Sequence, residues 1–97
     1  MKIEISLKES YILIDYNGFK RKTNNPEYVK SLLYDDYGSL KEVHKKGNDL
    51  VVTYSSSTII IRSIRNINKF KNGFIILEFL DSLEHPTSLR LTKSSKS

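Results

Sequence analysis

The chain has 97 residues, a formal net charge of +5, and no cysteine, alanine, glutamine or tryptophan. A chain of this length is expected to form one domain, here residues 1–92, with a disordered Ser/Lys-rich tail over 93–97. Without cysteine there is no disulfide, thiolate nucleophile or thiolate-ligated metal. No apolar run approaches the ~20 residues of a membrane span. Met1 to Ser6 alternates apolar and charged residues and does not form the apolar segment of a signal peptide, so a soluble, cytoplasmic protein with no membrane contact is expected.

The missing alanine removes the best helix former and tilts the expectation toward strands. Heavy use of isoleucine, lysine and asparagine is the bias of an AT-rich coding sequence, as in low-GC bacteria and their phages, and by that association points to a phage or mobile element.

In chain order, Ile3, Ile5 and Leu7 alternate with Lys2, Glu4 and Ser6 and predict a strand with one buried face. Tyr11 to Tyr16 predicts a second strand. Asn17-Gly18 then supplies the two positive-φ residues of a type I′ hairpin turn. Phe19 to Thr23 reads as a short third strand, whose lysines suit a sheet edge. Asn25-Pro26-Glu27 marks the start of a helix through about residue 37: a side-chain cap, a proline in the first turn and an acid at the positive end of the dipole. Val29, Leu32, Leu33 and Tyr37 form its apolar stripe, and Gly38 is placed to end it in a left-handed conformation.

Leu40 to Lys46 predicts another edge strand, and Leu50 to Tyr54 and Thr58 to Arg62 predict strands of β-branched residues, the latter apolar on both faces at its centre. Over Ser63 to Lys71 two readings compete. A bulged strand is favoured by the β-branched isoleucines, whereas a helix would align Ile61, Ile64, Ile67 and Phe70. Phe74 to Leu80 predicts a further strand after an Asn72-Gly73 turn, and Leu89 and Leu91 around Arg90 allow a last short one. The fold class that follows is α+β: a small antiparallel sheet or partly open barrel of six to seven short strands, with one helix at about 26–37 inserted after the third. That order resembles an OB-type barrel, although no motif carries the resemblance.

Reaction chemistry finds little to work with. His44 and His85 lack a second imidazole or a carboxylate array at ligand spacing, so no metal site is expected. Asp35 and Asp36 are helical neighbours pointing about 100° apart, the wrong geometry for a facing carboxylate pair. No phosphate-binding loop, dinucleotide fingerprint or nucleophile elbow occurs. The expectation is a protein that is not an enzyme and takes no cofactor.

Charge distribution says more. Tyr16 to Pro26 and Leu50 to Leu77 contain no acid, and between them they carry Lys20, Arg21, Lys22, Arg62, Arg65, Lys69 and Lys71. If adjacent, these form a basic surface with Phe19 and Phe70 as aromatic contacts. Asp35 and Asp36 are a candidate acidic contact for a basic partner. The expected function is a binding protein that docks this basic surface on a protein or nucleoprotein partner, as a phage or mobile-element inhibitor or accessory factor would. Direct nucleic-acid binding is the alternative, and homo-oligomerisation through Ile59 to Ile61 a second.

Overall fold

The computed structural model describes residues 1–83. The expected strand near Leu89 and Leu91, together with Glu84, His85 and the tail at 93–97, lies outside the described residues. Ile3, Ile5 and Leu7 of β1 (Lys2–Leu7) share one face and are fully buried, as period-two spacing requires. β2 (Ile12–Tyr16) and β3 (Phe19–Thr23) meet at Asn17-Gly18, with φ of 54° and 97°, and the Gly18 N–H donates to the Asp15 carboxylate at 2.8 Å. α1 (Pro26–Leu33) begins where expected, with the Glu27 N–H donating to the Asn25 side chain at 3.1 Å. It ends at Leu33, short of residue 37. Beyond that point Tyr37 folds into the core with its hydroxyl donating to the Leu32 carbonyl, and the Gly38 N–H donates to Asp36 at 3.0 Å.

β4 (Leu40–Lys46), β5 (Asp49–Tyr54) and β6 (Thr58–Arg62) complete one open, six-stranded sheet in the order β3-β2-β1-β6-β5-β4. Every neighbouring pair is antiparallel except β1 and β6, which run parallel with Ile3 opposite Ile59 and Ile5 opposite Ile61. β3 and β4 are the edges, as their lysines predict. β6 is interior, so Ile59 to Ile61 offers no free strand edge for self-pairing, and Ile59 and Ile61 are fully buried.

Two sequence expectations are corrected in the last third of the described chain. Phe74 to Leu80 belongs to a helix, α2 (Gly73–Ser82), and is not a strand. Ile75, Ile76, Phe79, Leu80 and Leu83 are buried while Phe74, Glu78 and Asp81 are exposed, a helical repeat hidden in a run that is apolar almost throughout. Packing of that stripe on the sheet outweighs the reluctance of isoleucine to enter helices. Asn72-Gly73 is accordingly a helix start. Gly73 is needed because a Cβ there would stand 1.9 Å from the Ile67 carbonyl oxygen.

The bulged strand expected over Ser63 to Lys71 is also absent. Ser63 adopts a left-handed conformation (φ 62°) that stops β6, and a 3-10 turn at Ile64–Asn66 follows. Three residues per turn is the spacing that puts Ile64, Ile67 and Phe70 together in the core.

Both helices cover the same face of the sheet and touch each other, Tyr34 packing edge-on against Phe79 at 5.8 Å. The result is an α+β fold in which three strands and a helix occur twice in succession. Among the described residues no helix is long and apolar enough to cross a membrane. Phe79→Ala, emptying the space between helix and sheet, is expected to cost ~3–5 kcal/mol, and Gly73→Ala ~1–3 kcal/mol through the clash with Ile67. Urea denaturation followed by circular dichroism measures both; an unchanged midpoint for Gly73→Ala would contradict the close approach.

Candidate anion-binding surface

Topology decides which loops are neighbours. β1, β3, β4 and β6 all finish at one end of the sheet, called the upper end here, where β2 and β5 begin and from which both helices start. The connection from Ser63 to Asn72 crosses this end and is pinned at three points. The Ile64 N–H donates to the Asn48 carbonyl at 2.8 Å, Asn66 Nδ2 to the Leu7 carbonyl at 3.0 Å, and Asn72 Nδ2 to the Asn24 carbonyl at 3.2 Å. One loop thereby ties together the β4–β5 turn, the end of β1 and the β3–α1 junction.

Lys8, Lys22, Lys45, Lys46, Arg62, Arg65, Lys69 and Lys71 stand on or beside these upper-end loops, against only Glu9, Glu27 and Asp49. All of these cations except Arg62 are exposed. The positive ends of two helix dipoles add to the same field. The lower half carries Asp35 and Asp36 in the loop after α1, Glu78 and Asp81 in the second half of α2, and Asp15 and Glu42 on the strands, with Lys2, Lys20, Lys30, Lys41 and the amino group of Met1 as partial compensation. The molecule is therefore polarised along its strands.

The expected surface is brought together only in part. Lys22, Arg65, Lys69 and Lys71 belong to the upper end. Lys20 lies opposite Asp15 toward the lower end, and Arg21 is on the helix-covered side with its guanidinium 4.4 Å from the Tyr28 ring centre. Phe19 is 72 % exposed but sits beside the β2–β3 turn, at the lower end. Phe70 is not a surface contact: it is 4 % exposed, a core residue under the crossing loop. Asp35 and Asp36 lie in the loop after α1 and not within the helix, and Asp35 accepts the Asp36 N–H at 2.9 Å.

Arg62 has a structural assignment. Its Nη1 donates to Asp49 at 2.9 Å and its Nε to Glu4 at 3.1 Å, with a second, shorter bond from Nη2 to Glu4, so it clamps β1, β6 and β5 on the uncovered face. The hydrogen bonds from Arg62 hold the Glu4 carboxyl below its ordinary value, and the same contacts raise Arg62. Lys69 reaches Glu9 only at 4.0 Å, between two exposed side chains, a pair that contributes little. Lys22 lies over the Tyr11 ring at 5.0 Å, which orients it without neutralising it.

Lys8, Lys45 and Lys46 join the surface although no acid-free window contains them. Lys8 adjoins Glu9 in sequence, and Lys45 and Lys46 lie close before Asp49, so a local count discounts them; only the order of strands reveals the cluster. His44 is exposed on edge strand β4, 3.6 Å from Glu42. Among the described residues no three His, Asp or Glu side chains are grouped to hold a metal ion. Comparison with protein-family models, with curated proteins and with solved structures gives no match, so this geometry is the basis on which the surface is interpreted.

Because the folded Glu4 value is depressed, its contribution is complete above the ordinary value of 4.5 and is lost as pH falls through the lower folded value. Glu4→Gln is expected to cost ~1–2 kcal/mol at neutral pH, between the worth of an exposed pair and that of a charged hydrogen bond. The difference from the parent protein should shrink toward zero in acid, where both side chains are neutral. Urea unfolding at a series of pH values tests this, and a pH-independent difference would contradict the clamp.

Proposed function

We propose that the protein is a non-catalytic docking factor that applies its upper, basic end to a protein or nucleoprotein partner presenting carboxylates or phosphates. The observation that supports this reading is the concentration of exposed cations on loops that share one end of the sheet, with Arg65, Lys69 and Lys71 on a single crossing segment. Hydrogen bonds to three other elements hold that segment, so little backbone ordering entropy remains to be lost on docking, and the cost falls on the exposed side chains. The absence of catalysis is part of the proposal: Asp35 and Asp36 accept backbone N–H groups of their own loop, and His44 has exposed Glu42 beside it. An inhibitor or accessory factor of phage or mobile-element origin fits the chain's size and composition.

Direct nucleic-acid binding would use the same cations. With Phe70 in the core and Phe19 at the other end, neither expected aromatic contact accompanies them; Phe74, in the first turn of α2, is the exposed phenylalanine at this end, so contact would be chiefly to phosphates and largely indifferent to sequence.

The combined variant Arg65→Glu, Lys69→Glu, Lys71→Glu separates these readings. Capture of the partner by the tagged protein is expected to weaken by about ten- to a hundredfold in the variant, chiefly through association rate, and to be retained in Lys20→Glu. If a short DNA or RNA duplex binds directly, the slope of log K against log salt should become shallower by about three, one for each phosphate contact removed. Capture that is unaffected by reversing all three charges would refute the upper end as the docking surface.

A further inference from the structure

β3 is an edge strand on which Phe19, Lys20, Arg21 and Lys22 are all exposed. Where its backbone groups point follows from the hydrogen bonding of its neighbour. The Asn17 N–H donates to the Lys2 carbonyl at 2.8 Å, so alternation turns the backbone groups of Leu13 and Asp15 toward β1 and those of Ile12, Ile14 and Tyr16 toward β3. The register partners of these last three, Thr23, Arg21 and Phe19, bond to β2, which leaves the N–H and C=O of Lys20 and Lys22 facing outward. Two donors and two acceptors thus stand at strand spacing along the open edge, with no partner among the described residues.

Charge selects what can pair there. The side chains of Lys20 and Lys22 share the uncovered face, and those of Phe19 and Arg21 the other. Asp15 is opposite Lys20, but its carboxylate accepts the Gly18 N–H, and none of Lys20, Arg21 and Lys22 forms an ion pair among the described residues. Arg21 and Lys22 lie over the rings of Tyr28 and Tyr11, at 4.4 and 5.0 Å, which orients them and leaves their charge unneutralised. Cations on an edge repel strands of like charge. A second copy pairing through β3 would set three cations against three, and residues 84–97 of the chain carry three cations against one acid. An acidic strand meets no such repulsion. β4, the other edge, is a poorer template, because its register slips between Leu40 and Glu42 and Glu42 interrupts its cations.

We infer that β3 accepts an extended acidic segment of a partner protein as an added strand of the sheet. In antiparallel pairing, acids two residues apart stand opposite Lys20 and Lys22 on the uncovered face, and an apolar residue on the other face meets Phe19, which is 72 % exposed. The backbone ladder supplies affinity, and the spacing of the acids supplies selection. One short strand buries less than the ~1,200 Å² of a standard interface, so the contact is weak and depends on salt. The inference does not rest on the upper-end reading. Lys22 alone is common to both surfaces, and the ladder uses backbone groups that docking of the upper-end side chains does not require.

The probe is a synthetic peptide of about eight residues, a common strand length, alternating glutamate and valine, titrated into the protein and followed by amide hydrogen exchange. In the free protein the Lys20 and Lys22 amides are expected to exchange fast and the Arg21 amide slowly; with peptide in excess, the first two should slow by at least about tenfold. N-methylation of the glutamates keeps the charge and removes the donors, and should weaken binding by at least about tenfold; a lysine and valine peptide should not bind. Lys22→Pro removes the outward N–H at a position where an edge strand tolerates proline, and should bind the peptide about three- to tenfold more weakly than Lys22→Thr, which has the same charge. The combined variant Arg65→Glu, Lys69→Glu, Lys71→Glu should keep the peptide while losing upper-end capture, so either reading can fail without the other. Circular dichroism checks that the variants fold, and peptide methylation tests the ladder without altering the protein. Equal binding of the methylated peptide would overturn the inference, as would peptide binding that survives Lys20→Glu with Lys22→Glu and is lost in the triple variant. Lys20 and Lys22 amides already protected in the free protein, by residues 84–97 or by a second copy, would overturn it as well. So would a single-stranded oligonucleotide that binds this edge more tightly than the peptide.

Discussion

The parallel pairing of β1 with β6 is the constraint on which the rest of the molecule depends. Ile3, Ile5, Ile59 and Ile61 are completely buried at this seam, and the Thr58 N–H and the Met1 carbonyl extend the pairing at 3.0 Å. Strands that run in the same direction cannot be joined by a tight turn. The chain must therefore build a complete antiparallel meander on each side of the seam and carry α1 from one edge of the sheet to the other. Once the seam is made, the directions of all six strands are set. So are the loops that share an end, and with them the separation of positive from negative charge.

The parts of the fold legible in the sequence are those decided by short-range chemistry. Asn17-Gly18 makes a positive-φ turn because those two residue types tolerate it, and Asn25-Pro26 starts a helix because the cap and the fixed proline φ are local properties. The lysine-bearing strands lie at the edges for an equally local reason. Phe74 to Leu80 misleads because seven nearly continuous apolar residues fit a buried strand or a buried helix equally well, and burial on the sheet is what selects the helix. Ser63 carries no sequence mark of its left-handed conformation, so the end of β6 is invisible from the residues alone. The three-residue spacing of Ile64, Ile67 and Phe70 matches neither of the common periods: Ile64 opens a short 3-10 turn, and Ile67 and Phe70 follow in the turns after it.

The charged surface divides along the same line. Lys22, Arg65, Lys69 and Lys71 were recoverable from acid-free windows, whereas Lys8, Lys45 and Lys46 come to the same end only through strand order. Arg62 shows the converse: it has no acid near it in sequence, yet Glu4 and Asp49 reach it from both neighbouring strands. A carboxylate many residues away can neutralise a cation more completely than one beside it. The distance that matters is measured across the sheet.

The seam also orders events in time. β1 is made before β6, so until β6 follows one flank of β1 is unpaired and Ile3 and Ile5 lack their parallel neighbours. Folding is thus deferred until Thr58 to Arg62 has emerged from the ribosome, a non-local closure of the kind that makes assembly slow. During that interval the unclaimed flank is a template for any extended chain nearby. Glu4 stands on that strand, and its carboxylate gains its partner only when Arg62 arrives beside it.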